Sequence, residues 1–339
     1  MTDFFTSILN WIYSFAGNYG WSIIIFTVLI RLILTPLDYK NRKGMRRYQK
    51  FQPEIEKLQK KYANDKAKLQ QKQAELMRRE KYNPLSGCLP LLIQMPILFA
   101  MFAALRRLAN EQTVIQIFEY LQGNAPEFEG WLWVRNIWET DSPFSAVAPS
   151  LNSLRVITFD VWENMFSTLS EGAKADILSN ISLAVEGFNG ALDLSSAEAL
   201  KSSLPFIQQT LLQMPSYQSA LATVPGWGNL NFFITTLSVY QQFNGLLILP
   251  IMAGLSQVLM TKMNPATQAP SQDGANNPMS GGFMKYFFPL FSVYICLSSN
   301  AGFALYWVVA NLFATLSGLL INAYLDKKDA GQAQLNEVK

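Results

Sequence analysis

Long apolar runs separated by polar stretches organise this chain. The first, Trp21 to Leu37, predicts a helix of about 17 to 20 residues, enough to cross a hydrocarbon core of roughly 30 Å. The second, Leu89 to Leu105, is introduced by the Asn83-Pro84 turn signal and Gly87 and closed by Arg106 and Arg107. A third begins between Phe232 and Phe243 and runs to about Met260, with Pro250 inside it as a kink. From Tyr286 to Tyr324 the apolar character is nearly continuous. A single helix there would measure about 58 Å, twice the core thickness, so two spans are expected. Their break falls at Ser298-Ser299-Asn300-Ala301-Gly302, the only cluster of turn-forming residues in the run.

The segments between the runs have patterns of their own. Phe4, Phe5, Ile8, Leu9, Ile12 and Phe15 recur at helical spacing and predict a short helix at the membrane surface. Between Lys40 and Lys81, Tyr48, Phe51, Ile55, Leu58 and Tyr62 recur every three or four residues, Pro53 with Glu54 and Glu56 resembles a helix start, and Ala63-Asn64-Asp65 predicts a turn whose Asp65 caps a second helix from Lys66. The expected architecture is therefore an all-α polytopic membrane protein. It has an interfacial helix at 1–17, spans at 18–39, 83–107 and 241–263, a pair of spans within 285–325, a basic helical hairpin at 40–82 and a tail at 326–339. Residues 108–240 are too many for a structureless loop and predict an inserted helical domain, with Ile177, Ile181, Leu183, Ala184 and Phe188 as one helical pattern. Its Trp131, Trp133 and Trp138 are expected in a core or at the lipid surface. Residues 264–284, rich in Pro, Gly, Asn and Ser, are expected to form a flexible loop.

Composition agrees with a membrane protein, since 50% of residues are hydrophobic and only 15% charged. Charge orients it. Residues 40–81 hold 15 Lys and Arg against 5 Asp and Glu, whereas residues 106–232 hold 6 against 13. The hairpin is therefore expected in the cytoplasm with the C-terminus, and the inserted domain and N-terminus outside. The chain has no histidine, and Cys88 and Cys296 both lie in or beside apolar runs, where they read as small packing residues. Zinc sites and Ser/His/Asp or Cys/His catalysis are thereby excluded, and no cofactor is expected. Met1 to Asn10 has neither a basic region nor a cleavage pattern, so no removable targeting segment is expected.

The candidate chemistry is one of charge inside an apolar setting. Arg31 is the one charge within the first run, and Thr27 and Thr35 flank it at four-residue spacing, giving a polar stripe. Arg31 either snorkels to the interface or faces a water-filled cavity. Gln94 lies about five residues into the second span, at roughly 8 Å depth, which suits either a wet groove or a helix-to-helix hydrogen bond. Asn311 and Thr315, one turn apart on the last span, carry the same two readings. The hairpin, with Arg46, Arg47, Lys60, Lys61, Arg78 and Arg79, is either a solvated face or a dock for anionic lipid or ribosomal RNA.

Two stretches carry a resemblance. Gly17-Asn18-Tyr19-Gly20-Trp21-Ser22-Ile23-Ile24-Ile25, followed by Arg31 and Pro36-Leu37, resembles the first core helix of YidC-type insertases, the YidC/Oxa/Alb family. The run from Asn83 to Ile97, NPLSGCLPLLIQMPI, resembles that family's most recognisable signature, with weaker echoes at Leu249-Pro250-Ile251, Lys262-Met263-Asn264-Pro265 and Gly302 to Asn311. The resemblance covers about residues 17–107 and 243–325. It implies five helices around a positively charged hydrophilic groove open to the cytoplasm and to lipid, with Arg31 as its central charge. It also implies a recruiting role for the hairpin and a hydrophobic slide at Ile251, Tyr306 and Trp307. The implied setting is the bacterial plasma membrane, with nascent membrane proteins and the bilayer as partners, the ribosome and Sec translocon as further candidates, and no small-molecule substrate.

By its sequence the chain is expected to depart from that pattern in the length of 108–240, in a short and mildly basic tail, and in lacking the first large external domain of Gram-negative members. Insertion is accordingly expected not to need residues 112–228, replaceable by a Gly/Ser linker. The rival reading is a small-solute transporter or anion channel with Arg31 binding substrate, against which stands the lack of an internal repeat. No base and nucleophile pair suggests an enzyme.

Overall fold

The computed structural model describes residues 2–80, 82, 85–226, 228–232, 235–263 and 282–337. In chain order these form α1 (Thr2–Ala16), α2 (Tyr19–Lys61), α3 (Lys66–Arg79), α4 (Leu85–Leu121), α5 (Leu151–Leu154), α6 (Phe159–Thr168), α7 (Glu171–Ala184), α8 (Ala197–Gln213), α9 (Pro215–Ala220), β1 (Asn229–Phe232), β2 (Thr235–Ser238), α10 (Ile248–Met263), α11 (Gly282–Leu297) and α12 (Ala301–Glu337). The fold is that of an all-α membrane protein. Among the described residues, α2 and α12 are long and apolar enough to cross a membrane on that ground alone, and α10 and Tyr286–Leu297 are shorter apolar helices. The long apolar run breaks between Leu297 and Ala301. Of the loop expected at 264–284, all but Gly282 to Met284, which open α11, lies outside the described residues.

The described chain divides into two compact units. One comprises residues 1–26, 101–254 and 290–308. Here α4 does not stop at 107 but continues to Leu121, because Val114, Ile117, Phe118 and Leu121 keep an apolar stripe at helical spacing. That stripe is buried against Trp162 of α6, Ile177 and Ile181 of α7, Ile207 and Leu211 of α8, and Tyr217 of α9. Gly123, at φ +86°, ends α4, its N–H donating to Tyr120 O while Asn124 N–H reaches Glu119 O. Ser150, Ser170 and Ser196 cap α5, α7 and α8 through their hydroxyls. Leu183, grouped from sequence with Ile177 and Ile181, is 83% exposed. Two residues past Ile181 it points about 200° around the helix. The inserted domain also contains a hairpin pairing β1 with β2, where sequence predicted only helices. Alternation in Asn-Leu-Asn-Phe and the adjacent Thr235 and Thr236 favour strand there.

Within this unit one segment, residues 129–148, closes the N-terminal ends of three apolar helices. The first N–H groups of a helix have no partner inside it. Tyr19 N–H donates to Glu129 Oε1 at 2.8 Å, and the Asn18 amide to Gly130 O at 2.9 Å. Ala301 and Gly302 N–H donate to Glu139 O and Ile137 O at 2.8 and 2.9 Å. The two Asp141 carboxylate oxygens accept from Leu246 N–H and Leu249 N–H, both at 2.7 Å, at the start of α10. Trp133 Nε1 donates to the same carboxylate at 3.2 Å. Asn244 and Asn136 fix the segment by exchanging amide bonds, Asn136 N–H to Asn244 Oδ1 and Asn244 Nδ2 to Asn136 O, and both residues are fully buried. Gly245 is required where it stands, because a Cβ there would overlap Asp141. Asn244 and Leu246 are held in these bonds and Leu247 stands at φ +64°, so the third apolar helix starts at Ile248 and not at 241.

The other unit comprises residues 27–100, 255–289 and 309–339. The first arm of the hairpin is not a separate helix starting at Pro53. It is the uninterrupted continuation of α2, with Pro36 and Pro53 both inside. Each proline removes a single donor from the ladder, and the helix carries on past it. A turn at 62–64 and an Asp65 side chain accepting from Lys68 N–H at 3.0 Å lead into α3. Phe51, Ile55 and Leu76 form the small core of the hairpin, with Tyr48, Leu58 and Tyr82 packed against it.

Candidate functional site

Arg31 occupies the part-buried stretch of α2 and its Nη1 donates to Gln94 Oε1 of α4 at 3.1 Å. The two polar groups singled out in separate apolar runs thus meet. Gln94 offers a neutral carbonyl, so this bond orients the guanidinium without itself supplying a counter-charge. Thr35 Oγ1 donates to Arg31 O at 2.9 Å, and Thr27 lies buried one turn before Arg31. The site therefore combines a fixed positive charge with hydroxyl and amide groups in a segment otherwise built from Leu, Ile and Val.

Asn311 and Thr315 belong to a second polar cluster. Both are buried. The Asn311 amide donates to Ser256 Oγ at 3.3 Å and Gln257 Oε1 at 3.2 Å, both on α10, and Thr315 Oγ1 donates to Asn311 O at 2.8 Å. This is a helix-to-helix lock between α10 and α12. Sequence reasoning missed Ser256 and Gln257, although two adjacent polar residues inside an apolar run are a signal for such a partner.

The residues grouped as a slide separate by exposure. Ile251 is 53% exposed and shares one face of α10 with exposed Leu255 and Leu259, whereas Tyr306 is buried at 4%. Trp307 is half-buried, its ring 5.7 Å from that of Phe303.

The basic residues of the hairpin also separate. Arg46 is engaged at α12, its Nη2 donating to Asn322 O at 2.7 Å and its Nη1 standing 2.7 Å from Asp326 and 3.8 Å from Asp329. Arg79 ties α3 to α2 through Glu54 at 2.6 Å and also pairs with Glu80 at 3.0 Å. Arg47, Lys60, Lys61 and Arg78 are exposed, and Lys61 Nζ lies 5.6 Å from the Tyr62 ring.

The family model of the 60Kd inner membrane protein matches residues 11–185 and 193–328. Curated relatives bearing the name membrane protein insertase YidC are similar over shorter stretches. That of Fusobacterium nucleatum is 44% identical over 135 residues, 40% of this chain and 58% of the relative. That of Clostridium perfringens is 37% identical over 173 residues, 47% of this chain and 66% of the relative. That of Anaeromyxobacter dehalogenans is 38% identical over 137 residues, 40% of this chain and 22% of the relative. The chain thus spans less than two thirds of the length of each of these relatives. The family match extends beyond residues 17–107 and 243–325 into the inserted domain, including the segment 129–148 that closes the three helices. A match from residue 11 to 328, broken only at 186–192, shows that the chain belongs to the 60Kd inner membrane protein family, that of the YidC insertases, as a protein integral to the bacterial membrane.

Proposed function

We propose that the chain is a membrane protein insertase and chaperone, in which the Arg31 site receives the polar part of a client. The observation that carries this reading is the Arg31 guanidinium held by Gln94 inside apolar helices. Insertion requires a polar tail or loop to pass through hydrocarbon, where each charge costs several kcal/mol by most estimates. A hydrated positive site shortens the apolar path and attracts carboxylates and carbonyls. The client's own apolar helix then enters lipid along the exposed residues of α10, Ile251, Leu255 and Leu259, with half-buried Trp307 as a further contact. Burial at roughly 25 cal/mol per Å² supplies the driving force, so the reaction needs no nucleotide. Of the hairpin residues, Arg47, Lys60, Lys61 and Arg78 are the ones available to recruit clients, anionic lipid or a ribosome, since Arg46 and Arg79 have carboxylate partners. The nascent membrane protein and the bilayer are the essential partners, with the Sec translocon a further one.

The test is reconstitution of the purified chain into lipid vesicles with a labelled single-span client. Client insertion without solute flux is expected, and anion flux without insertion would replace this reading by a channel. The charge asymmetry supports an orientation with the N-terminus and inserted domain outside and the hairpin and C-terminus in the cytoplasm. Single cysteines beside Lys60 are then expected to react only from the cytoplasm and ones beside Glu171 only from outside. The reverse labelling would overturn the orientation.

A further inference from the structure

Residues Trp131 to Val134 form a tight turn closed by two backbone bonds, Trp131 N–H to Val134 O at 2.8 Å and Val134 N–H to Trp131 O at 2.9 Å. Its first central residue is Leu132, at φ +50°. That left-handed conformation is one that glycine or asparagine adopts easily and leucine does not. Leu132 is nonetheless 68% exposed. A strained, outward-pointing leucine at a turn tip is unfavourable in water on two counts, and persistent strain of this kind points to a use for the side chain.

The surroundings say which environment the tip meets. Trp131 packs over the first turn of α2, where a Cβ on Gly20 would overlap its ring. Its ring stands edge-on to Trp21 at 5.9 Å and to Trp133 at 5.7 Å. Trp21 is 51% exposed and opens the apolar run of α2, a membrane-crossing helix. The Trp133 indole N–H is held by the Asp141 carboxylate, so the turn is fixed on both sides. The turn itself carries no charge, and Arg135 follows at once, exposed and with its guanidinium 5.2 Å from the Phe243 ring. Indole rings favour the boundary between headgroups and acyl chains, where an arginine next to them meets lipid phosphate.

We propose that the Trp131–Val134 turn is a lipid anchor, with Leu132 inserted into the headgroup–acyl boundary of the leaflet at which α2 begins. The turn is continuous with the lipid-facing end of a spanning helix, which sets its depth. A segment of the inserted domain thereby touches the bilayer directly.

Two measurements on the full chain in phosphatidylcholine and phosphatidylglycerol vesicles test this. An environment-sensitive fluorophore is attached through Leu132→Cys, with Cys88 and Cys296 replaced by alanine, and compared with one attached through Leu183→Cys on α7. The label at position 132 is expected to emit at shorter wavelength, to be quenched by lipids spin-labelled near the top of the acyl chain, and to be protected from iodide. The label at 183 should show the opposite pattern. If both positions are quenched alike by iodide and ignored by the spin-labelled lipid, the anchor is ruled out. The unaltered protein is also photolabelled with a photoactivatable phosphatidylcholine. Adducts on the peptide carrying 131–134, beside those on exposed Leu32 and Ile33 of α2, are expected. Adducts on α2 alone would overturn the proposal with no substitution present to disturb folding.

Discussion

Replacing Arg31 by alanine is expected to lower insertion of clients with acidic translocated tails by about tenfold or more, and to leave clients with neutral tails much less affected. A hydrogen bond to a charged group contributes roughly 1.5–3 kcal/mol, and about 1.4 kcal/mol is a factor of ten. Arg31→Lys should restore part of the activity, since it keeps the charge but presents a compact ammonium in place of the planar fork that meets Gln94. Gln94→Leu removes the group that orients the guanidinium while retaining the charge, so its effect should be smaller than that of Arg31→Ala. This ordering separates an electrostatic role from a packing role. If Arg31 merely stapled α2 to α4, Gln94→Leu would be as damaging as Arg31→Ala and the lysine would not rescue. The readout is vesicle insertion against client tail charge, with monodispersity in detergent checked for every variant. Normal insertion of acidic tails by Arg31→Ala would remove the electrostatic account.

The second large effect is expected at Asp141, in the inserted domain. Asp141→Ala leaves Leu249 N–H without its acceptor in a buried place, and Leu246 N–H and the Trp133 indole N–H without theirs where they are part-buried. At roughly 1–3 kcal/mol for a buried unsatisfied donor and less for the part-buried pair, a loss of about 2–3 kcal/mol follows. Thermal unfolding in detergent should register this, and insertion should fall because the start of α10, which carries Ile251, is no longer fixed. Ser196→Ala removes only the cap of α8, where Ser196 Oγ accepts from Ala199 N–H at 3.2 Å, and should cost about 1 kcal/mol with insertion unchanged. Replacing 112–228 by a Gly/Ser linker removes Glu129, Gly130, Ile137, Glu139 and Asp141 together. It should therefore be more damaging than Asp141→Ala, the reverse of the expectation from sequence. A monodisperse and active linker variant would show that the three helix starts do not depend on these bonds.

What the sequence determined by itself is whatever depends on periodicity, length and local turn chemistry. Runs of about 20 apolar residues have few alternatives to a spanning helix, because hydrocarbon leaves no partner for an unpaired backbone group. The Ser298–Gly302 break and the Asp65 cap were legible for the same reason, being properties of a few adjacent residues. So was Arg31, since a lone charge in such a run stands out. Tertiary structure alone decided where each polar group found its partner. The Arg31–Gln94 bond joins residues 63 positions apart and the Asp141–Leu249 bond residues 108 apart. No local pattern encodes such pairings. Proline did not stop α2 at Pro53, because losing one donor is tolerated when the rest of the helix is held. Asn311 carried both a groove and a helix-to-helix reading and is buried against α10, and Tyr306, placed on a slide by resemblance, is buried as well, since which face of a helix packs is not a local property. Most of all, the sequence presented 108–240 as a separable domain. Only the fold shows residues 129–148 supplying the acceptors that the starts of α2, α10 and α12 lack, because an unpaired N–H is satisfied by whatever the folded chain brings within about 3 Å of it.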